Sequence, residues 1–517
     1  MQYVKGATGR IEKVLSSVAR RILFDRDLDE QISQDLVYIC QIDLAHILML
    51  AERKIVQQGS AKLLLRAIRR LTAQQFAPLR TGTSFRGLFL LYENYLIETE
   101  GINVGGLLQT GRSRNDLNAT LLRLRLRQPY IALISACLRL QAVLIHRAER
   151  HAEVVMPAYT HGQPAEPITY GHYLAGVAEA IRRDVDGLID AAREIDTSPL
   201  GSGAIAGTSA PIDPSRTAEL LGFTGVTINS VDGVASRDVA LRLLAAMTVY
   251  GATLSRIATD LLQWLTSEFQ FLSLPDELVG SSSAMPQKRN PFLLEHVQGR
   301  TASALGAFSH CIAATRNTPF TNSIAVGTEA MRPLWGALRD IKDATSLLGL
   351  VVSYAQPQPD QMLLRASEGF TTATAHALRM VIEKGVDFRS AHRSVGKMVT
   401  ETLAKGFTSL EQMEIADEDA LGISLIGMDP ASCVQRSKFG GGPALESLKP
   451  ALQSLRQSWL RHRGLVRNQR SRWIKAQLNL DDSVNTFCAP SIADREGPAT
   501  VGSAHLDGCA VKPVLPK

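Results

Sequence analysis

Three short polar stretches of this chain carry residue types that can do chemistry together. Thr110-Gly111-Arg112-Ser113-Arg114-Asn115-Asp116 supplies hydroxyls, an amide and two guanidinium groups. Tyr159-Thr160-His161-Gly162-Gln163 supplies a histidine between a hydroxyl and an amide. Gly280-Ser281-Ser282-Ser283-Ala284-Met285-Pro286-Gln287-Lys288-Arg289-Asn290-Pro291 supplies a run of serines followed by a lysine and an asparagine. Arginine and lysine bind carboxylates, histidine manages a proton, and amides and hydroxyls orient a ligand. The set suits a multiply anionic small molecule. Each stretch alone is also compatible with an ordinary solvated loop, and a single Arg-Ser-Arg or Thr-His proves nothing.

These stretches must be positioned by helices. Apolar residues recur at helical spacing through Leu36, Ile39, Cys40, Leu44, Ile47 and Leu48. Long helices are expected from Asn118 to about Glu153, over about 169–194, 236–273, 291–314 and 329–353, with Met156–Pro164 as a break and loops over 197–236 and near 316–328. Such lengths indicate a bundle, with side-by-side packing that extends across subunits. The reading is a mainly α chain of three units: 1–110, a central bundle over 111–355 that carries the catalytic loop 280–291, and 356–467. An irregular tail over 468–517 follows, rich in proline and glycine near its end. The first dozen residues are also read as loose.

The chain has 517 residues, 45% of them hydrophobic and 6% aromatic, with a formal charge of +6. The basic excess is small and lies in clusters such as Arg66, Arg69 and Arg70, or Arg123, Arg125 and Arg127. No nucleic-acid-binding motif accompanies them. Six scattered cysteines form neither a disulfide framework nor a zinc ligand set. No leader-like segment or run of eighteen apolar residues occurs, so the expectation is a cytoplasmic protein without membrane or nucleic-acid partners.

The stretches taken in order resemble the argininosuccinate lyase family of the fumarase/aspartase superfamily. Ser281–Pro291 resembles the signature Gly-Ser-Ser-x-Met-Pro-x-Lys-x-Asn-Pro, with Ser281 in place of its glycine. Thr110–Asp116 and Met156–His161 resemble two further family segments, and Pro199–Ala204, Ser236-Arg237-Asp238 and Lys384–Arg389 continue the match over roughly residues 20–450. The resemblance implies a fumarase/aspartase-like fold whose central helices form a twenty-helix core in a homotetramer. Each active site would be shared by three subunits and use neither metal nor organic cofactor. It implies cleavage of a C–N bond in an N-substituted aspartate with release of fumarate.

Carried onto this chain, the resemblance makes Ser282 the general base, with Ser283 as the rival. Lys288 and Asn290 would hold the aci-carboxylate, and His161 would protonate the leaving amine, paired with Glu295. Ser113, Arg114, Asn115 and Thr160 would bind the two carboxylates of the fumarate half. The amine half departs from the family. Its Tyr-x-Arg-Asp-Leu-Gln-x-Asp-Lys stretch is replaced by Asn317–Glu329, which has no Tyr, Gln or Lys. Its Asp-Ile-His is replaced by Tyr92-Glu93-Asn94, and its Gly-Ser-x-Ala-His by Ile42-Asp43-Leu44-Ala45-His46. Deleted polar contacts change discrimination. The chain is therefore more similar to relatives acting on other N-substituted aspartates, such as ethylenediamine-N,N'-disuccinic acid lyase. The arginine-forming enzyme is the alternative.

Overall fold

The computed structural model describes residues 13–82, 86–410, 412 and 427–489. The first dozen residues and the segment from 490 onward, both expected to be loose, lie outside the described residues.

The described chain is mainly helical. An N-terminal unit contains α1 (Leu36–Glu52), α2 (Gln58–Ala73) and α3 (Leu88–Glu100). The central unit begins with α4 (Arg114–Arg150), then a hairpin of β1 (Val155–Thr160) and β2 (Gln163–Thr169), and α5 (Tyr170–Ala191). It continues with α6 (Asp238–Trp264), α7 (Phe292–Thr315) and α8 (Leu334–Tyr354). Beyond them lie α9 (Pro359–Glu368), α10 (Ala373–Lys384), α11 (Phe388–Ala404) and α12 (Leu445–Cys488).

The five central helices close into a bundle: α4 packs on α5, α5 on α6, α6 on α7, α7 on α8, and α8 back on α4. Its core holds Leu133, Ile134 and Leu140 of α4, Leu243, Leu244 and Met247 of α6, and Ile341 and Leu348 of α8, all essentially inaccessible. Tyr250 and Thr345 share a hydrogen bond of 3.0 Å inside it, which satisfies both hydroxyls between α6 and α8. Helix α4 is long and apolar enough to cross a bilayer by composition, but 67% of its most apolar window is buried in the protein. It is therefore read as a core helix of the bundle.

Several boundaries differ from the sequence expectation. Helix α4 begins at Arg114 because Ser113 and Asp116 form a capping box ahead of the apolar run. The stretch read as a break between helices is the β1–β2 hairpin. Helix α6 stops at Trp264, ahead of Gln270 in a left-handed conformation and a short strand at Leu272–Ser273 that pairs with Gln356–Pro357. The largest correction concerns the irregular tail. Residues 468–488 continue α12, so a boundary after residue 467 would cut a 44-residue helix. Trp473, Ala476, Leu480 and Val484 are buried along one face at helical spacing. The turn-forming composition begins only after that face ends. Leu480 and Val484 pack into the core of the N-terminal unit.

Candidate active site

The 110–116 stretch is fastened from several directions. His46 of α1 donates through Nε2 to the Thr110 carbonyl at 2.8 Å. The Arg112 guanidinium lies 2.5 Å from the Asp43 carboxylate, both side chains fully buried. Burial pushes the Asp43 carboxyl up, and the adjacent Arg112 cation opposes that shift. Asp116 accepts from Ser113 N–H at 3.0 Å through one oxygen, and from Gly201 and Gly203 N–H at 3.0 and 2.9 Å through the other. Burial raises the Asp116 carboxyl, and these backbone bonds lower it. The Gly203 position needs glycine: its φ is +61°, and an added Cβ would fall 2.3 Å from the Gly207 carbonyl oxygen. The result holds Ser113 at the N-cap, with Asn115 half-buried and Arg114 exposed at the positive end of α4.

His161 occupies the tip of the hairpin. Thr160 pairs with Gln163, leaving His161 and Gly162 as a two-residue turn with φ of +55° and +75°. Positive φ at both turn residues matches the right-handed twist of the strands. It also turns Thr160 and His161 outward, and both are exposed.

The 280–291 loop is pinched at its base. Gly280 and Asn290 exchange backbone hydrogen bonds, each of 2.8 Å. Arg289 pairs with Asp276 and donates to the Leu274 carbonyl at 2.8 Å. Within the loop, Ser282 Oγ accepts from the N–H groups of Ala284 at 3.3 Å and Met285 at 3.1 Å. Ser282 is half-buried, while Ser283 and Lys288 are exposed. Among the described residues the Lys288 ammonium makes no ion pair. Glu295 lies exposed in the first turn of α7.

Among the described residues, no hydrogen bond or ion pair joins these three loops to one another. His161 and Glu295, expected as a pair, are not paired within the chain. A different contact is present that the sequence did not reveal. Asn322, in the divergent 317–329 segment, donates Nδ2–H to Asn115 Oδ1 at 2.9 Å, and Arg237 donates to Asn322 Oδ1 at 3.5 Å. Burial and the nearby Arg123 cation lower Arg237 to about 10, so it stays protonated at neutrality. The arginine clusters have internal work. Arg66 and Arg69 donate to carbonyls at the C-terminal end of α12, Arg125 pairs with Asp35 over the Trp335 ring, and Arg127 lies between the Phe223 and Trp473 rings. Arg21 and Arg316 remain exposed. No disulfide joins two cysteines among the described residues, and no group of three or more His, Cys, Asp or Glu there is placed to hold a metal.

The lyase family model matches residues 89–306, and the model for the argininosuccinate lyase C-terminal region matches residues 370–434. Argininosuccinate lyase 1 of Shouchella clausii is 32% identical over 462 residues, covering 87% of this chain and 93% of the relative. Argininosuccinate lyase of Methanospirillum hungatei is 35% identical, covering 87% and 90%. The chain belongs to the argininosuccinate lyase family. As a member of that family, within the fumarase/aspartase superfamily, it is a carbon–nitrogen lyase. Among solved structures, an EDDS lyase variant with bound fumarate superimposes on this family member with a TM-score of 0.81 at 28% identity, covering 95% of this chain and 98% of the other. EDDS lyase in complex with formate gives the same TM-score at 29% identity and the same coverage. The class II fumarase of Schistosoma mansoni shares the fold, with a TM-score of 0.64 at 15% identity over 77% of this chain and 90% of the other.

Proposed function

We propose that the chain cleaves an N-substituted L-aspartate by β-elimination, and that the departing group is an amine bearing further carboxylates. As a C–N lyase of this family it produces fumarate. The observation that carries the site assignment is the 280–291 loop, in which two backbone N–H groups already point at Ser282 Oγ. A serine hydroxyl is a weak base in water. N–H dipoles at its oxygen stabilise the alkoxide that removes the Cβ proton.

Proton loss places negative charge on the neighbouring carboxyl group. Lys288 and Asn290 stabilise it where it develops, which lowers the barrier and not merely the binding energy. Ser113, Arg114, Asn115 and Thr160 hold the two carboxylates of the fumarate half. His161, aligned by Glu295, delivers a proton to the departing nitrogen, directly or through a water molecule. The C–N electron pair leaves with the amine and the Cβ–H pair becomes the double bond of fumarate, so the reaction balances with proton transfers alone.

We read the site as shared between copies of the chain, a reading supported by the lack of any hydrogen bond or ion pair between its three loops among the described residues. We read the assembly as a homotetramer in which three subunits contribute to each site and four five-helix bundles form a twenty-helix core. Val249, Leu305, Leu350 and Tyr354, all on bundle helices, are 39–62% exposed in the single chain, which fits surfaces that other subunits cover. Among the described residues the single helix both long and apolar enough to cross a membrane, α4, is mostly buried in the bundle, which fits the cytoplasmic reading.

The substrate reading rests on the segment 317–329, where no Tyr, Gln or Lys contacts an arginine moiety, and on the exposed Arg21 and Arg316. The names and 32–35% identity of the sequence relatives favour argininosuccinate as the second reading. Incubating the enzyme with fumarate and a panel of amines, with products read by mass spectrometry, separates the two. Preferred addition of carboxylate-bearing amines is expected; arginine as by far the best nucleophile would sink the first reading.

A further inference from the structure

The divergent 317–329 segment reaches the N-terminal end of α4 through the side chain of Asn322. Arg237 Nη2 faces Asn322 Oδ1 at 3.5 Å, Asn322 Nδ2 faces Asn115 Oδ1 at 2.9 Å, and Asn115 Nδ2 faces the Ala204 carbonyl at 2.8 Å. The polarity of this chain is set at both ends. A guanidinium only donates and a backbone carbonyl only accepts. The orientation of both amides between them follows from these ends. Flipping Asn115 would set oxygen against oxygen at Ala204, and flipping Asn322 would set nitrogen against nitrogen at Arg237.

Arg237 is suited to be the fixed end. It is 3% exposed, and its Nη1 is held by the carbonyls of Val234 at 3.0 Å and Ser236 at 2.8 Å. It has no carboxylate partner among the described residues, so Asn322 Oδ1 is the side-chain acceptor it meets.

An asparagine amide has two N–H groups and one carbonyl oxygen. In Asn115 the oxygen is taken by Asn322 and one N–H by Ala204. One N–H remains free as a donor, held away from the oxygen by these two bonds, and a carboxylate accepts. We propose that Asn322 is a positioning residue that fixes the amide of Asn115 so that its free N–H, and not its oxygen, is turned to a substrate carboxylate. The proposal rests on the carboxylate-binding role assigned to Asn115. It also gives the 317–329 segment a part in binding the fumarate half, where the sequence had indicated only a changed amine side.

The test uses the full-length protein, with fumarate affinity measured by isothermal titration calorimetry and stability by thermal unfolding. Three variants are needed. Asn115→Ala checks the underlying reading and is expected to weaken fumarate binding. Asn322→Leu removes the donor without adding charge, and Asn322→Asp keeps the shape but can only accept. Both Asn322 variants are expected to weaken fumarate by about tenfold or more, the scale of a hydrogen bond to a charged group. Asn322→Asp is expected to melt at or above the parent temperature, because its carboxylate pairs with buried Arg237. Parent-like fumarate affinity in Asn322→Leu, alongside a loss in Asn115→Ala, would overturn the positioning role. Parent-like affinity in Asn115→Ala would overturn the carboxylate role of Asn115, and the proposal with it. A lowered melting temperature together with weakened binding in Asn322→Asp would mark a merely structural contact and also overturn it.

Discussion

The hydroxyl oxygen of Ser282 accepts a hydrogen bond from the backbone N–H of Met285 at 3.1 Å, with the Ala284 N–H a second donor at 3.3 Å. Both donors belong to the same loop as the oxygen they serve. Ser283, its neighbour, is exposed and has no comparable arrangement among the described residues. Ser282→Ala is expected to lower kcat by about a hundredfold or more, the range for loss of a positioned base, whereas Ser283→Ala keeps most of the activity. Ultraviolet absorbance of the fumarate formed reads both. The reverse ranking would move the base to Ser283.

Lys288 offers a clean separation of function from stability. Its side chain is exposed and makes no ion pair within the described chain. Lys288→Met should therefore change unfolding free energy by no more than about 0.5 kcal/mol, as for surface substitutions generally. Its kcat should fall by about a hundredfold or more, the scale for removing one preorganised group that stabilises transition-state charge. Chemical denaturation beside steady-state kinetics checks the pair. A large loss of stability with little loss of rate would remove Lys288 from the chemistry.

Asp116 behaves in the opposite way. It is fully buried and serves three backbone N–H groups, those of Ser113, Gly201 and Gly203. Asp116→Ala strands these donors, and each buried donor left unsatisfied costs about 1–3 kcal/mol. A destabilisation of about 3 kcal/mol or more is expected in urea titrations. Fumarate affinity should weaken as well, since Ser113 loses half of its capping box.

The His46 ring gives the fold a defined acid sensitivity. Burial first, and the Arg112 cation second, hold its pKa at about 3, against 6.5 for an unhindered imidazole. Below pH 6.5 the unfolded chain takes up a proton that the folded chain refuses. The contribution of His46 is therefore present above pH 6.5 and declines as pH falls toward 3, at about 1.4 kcal/mol per pH unit. His46→Gln keeps a donor for the Thr110 carbonyl and removes the titration. Between pH 6 and 4 its urea midpoint should fall less steeply than that of the parent; parallel curves would mean that the folded ring is protonated.

The reading of a site shared between subunits leads to a mixing experiment. Ser282→Ala and Asn115→Ala, each of low activity alone, should regain activity when their subunits are dissociated and reassembled together. Some sites then receive the intact loop from each parent. No recovery in mixed oligomers confirmed by mass spectrometry would place both loops of a site on one subunit.

Much of the bundle was legible because helical periodicity survives in α4, α6, α7 and α8 whatever their neighbours. Boundaries were less so. The hairpin at residues 155–169 hides behind Pro157, Pro164 and Pro167, which read as helix breakers and not as strand residues. The end of α12 was masked by the proline- and glycine-rich composition beyond it. The candidate site residues were named by pattern and not by physics, since Ser282, Lys288 and Asn290 lie within nine positions of one another. The Asn322–Asn115 contact spans 207 positions, and no local periodicity or composition encodes a pairing at that range.

Helix α12 has a consequence for how the protein is made. Arg66 binds the carbonyl of Cys488 across 422 positions, and Leu480 and Val484 complete the core of the first unit. A growing chain emerges from the ribosome in order, and most N-terminal units fold while the rest is still being translated. This one cannot finish early. Its apolar face waits, incompletely covered, until α12 has been synthesised.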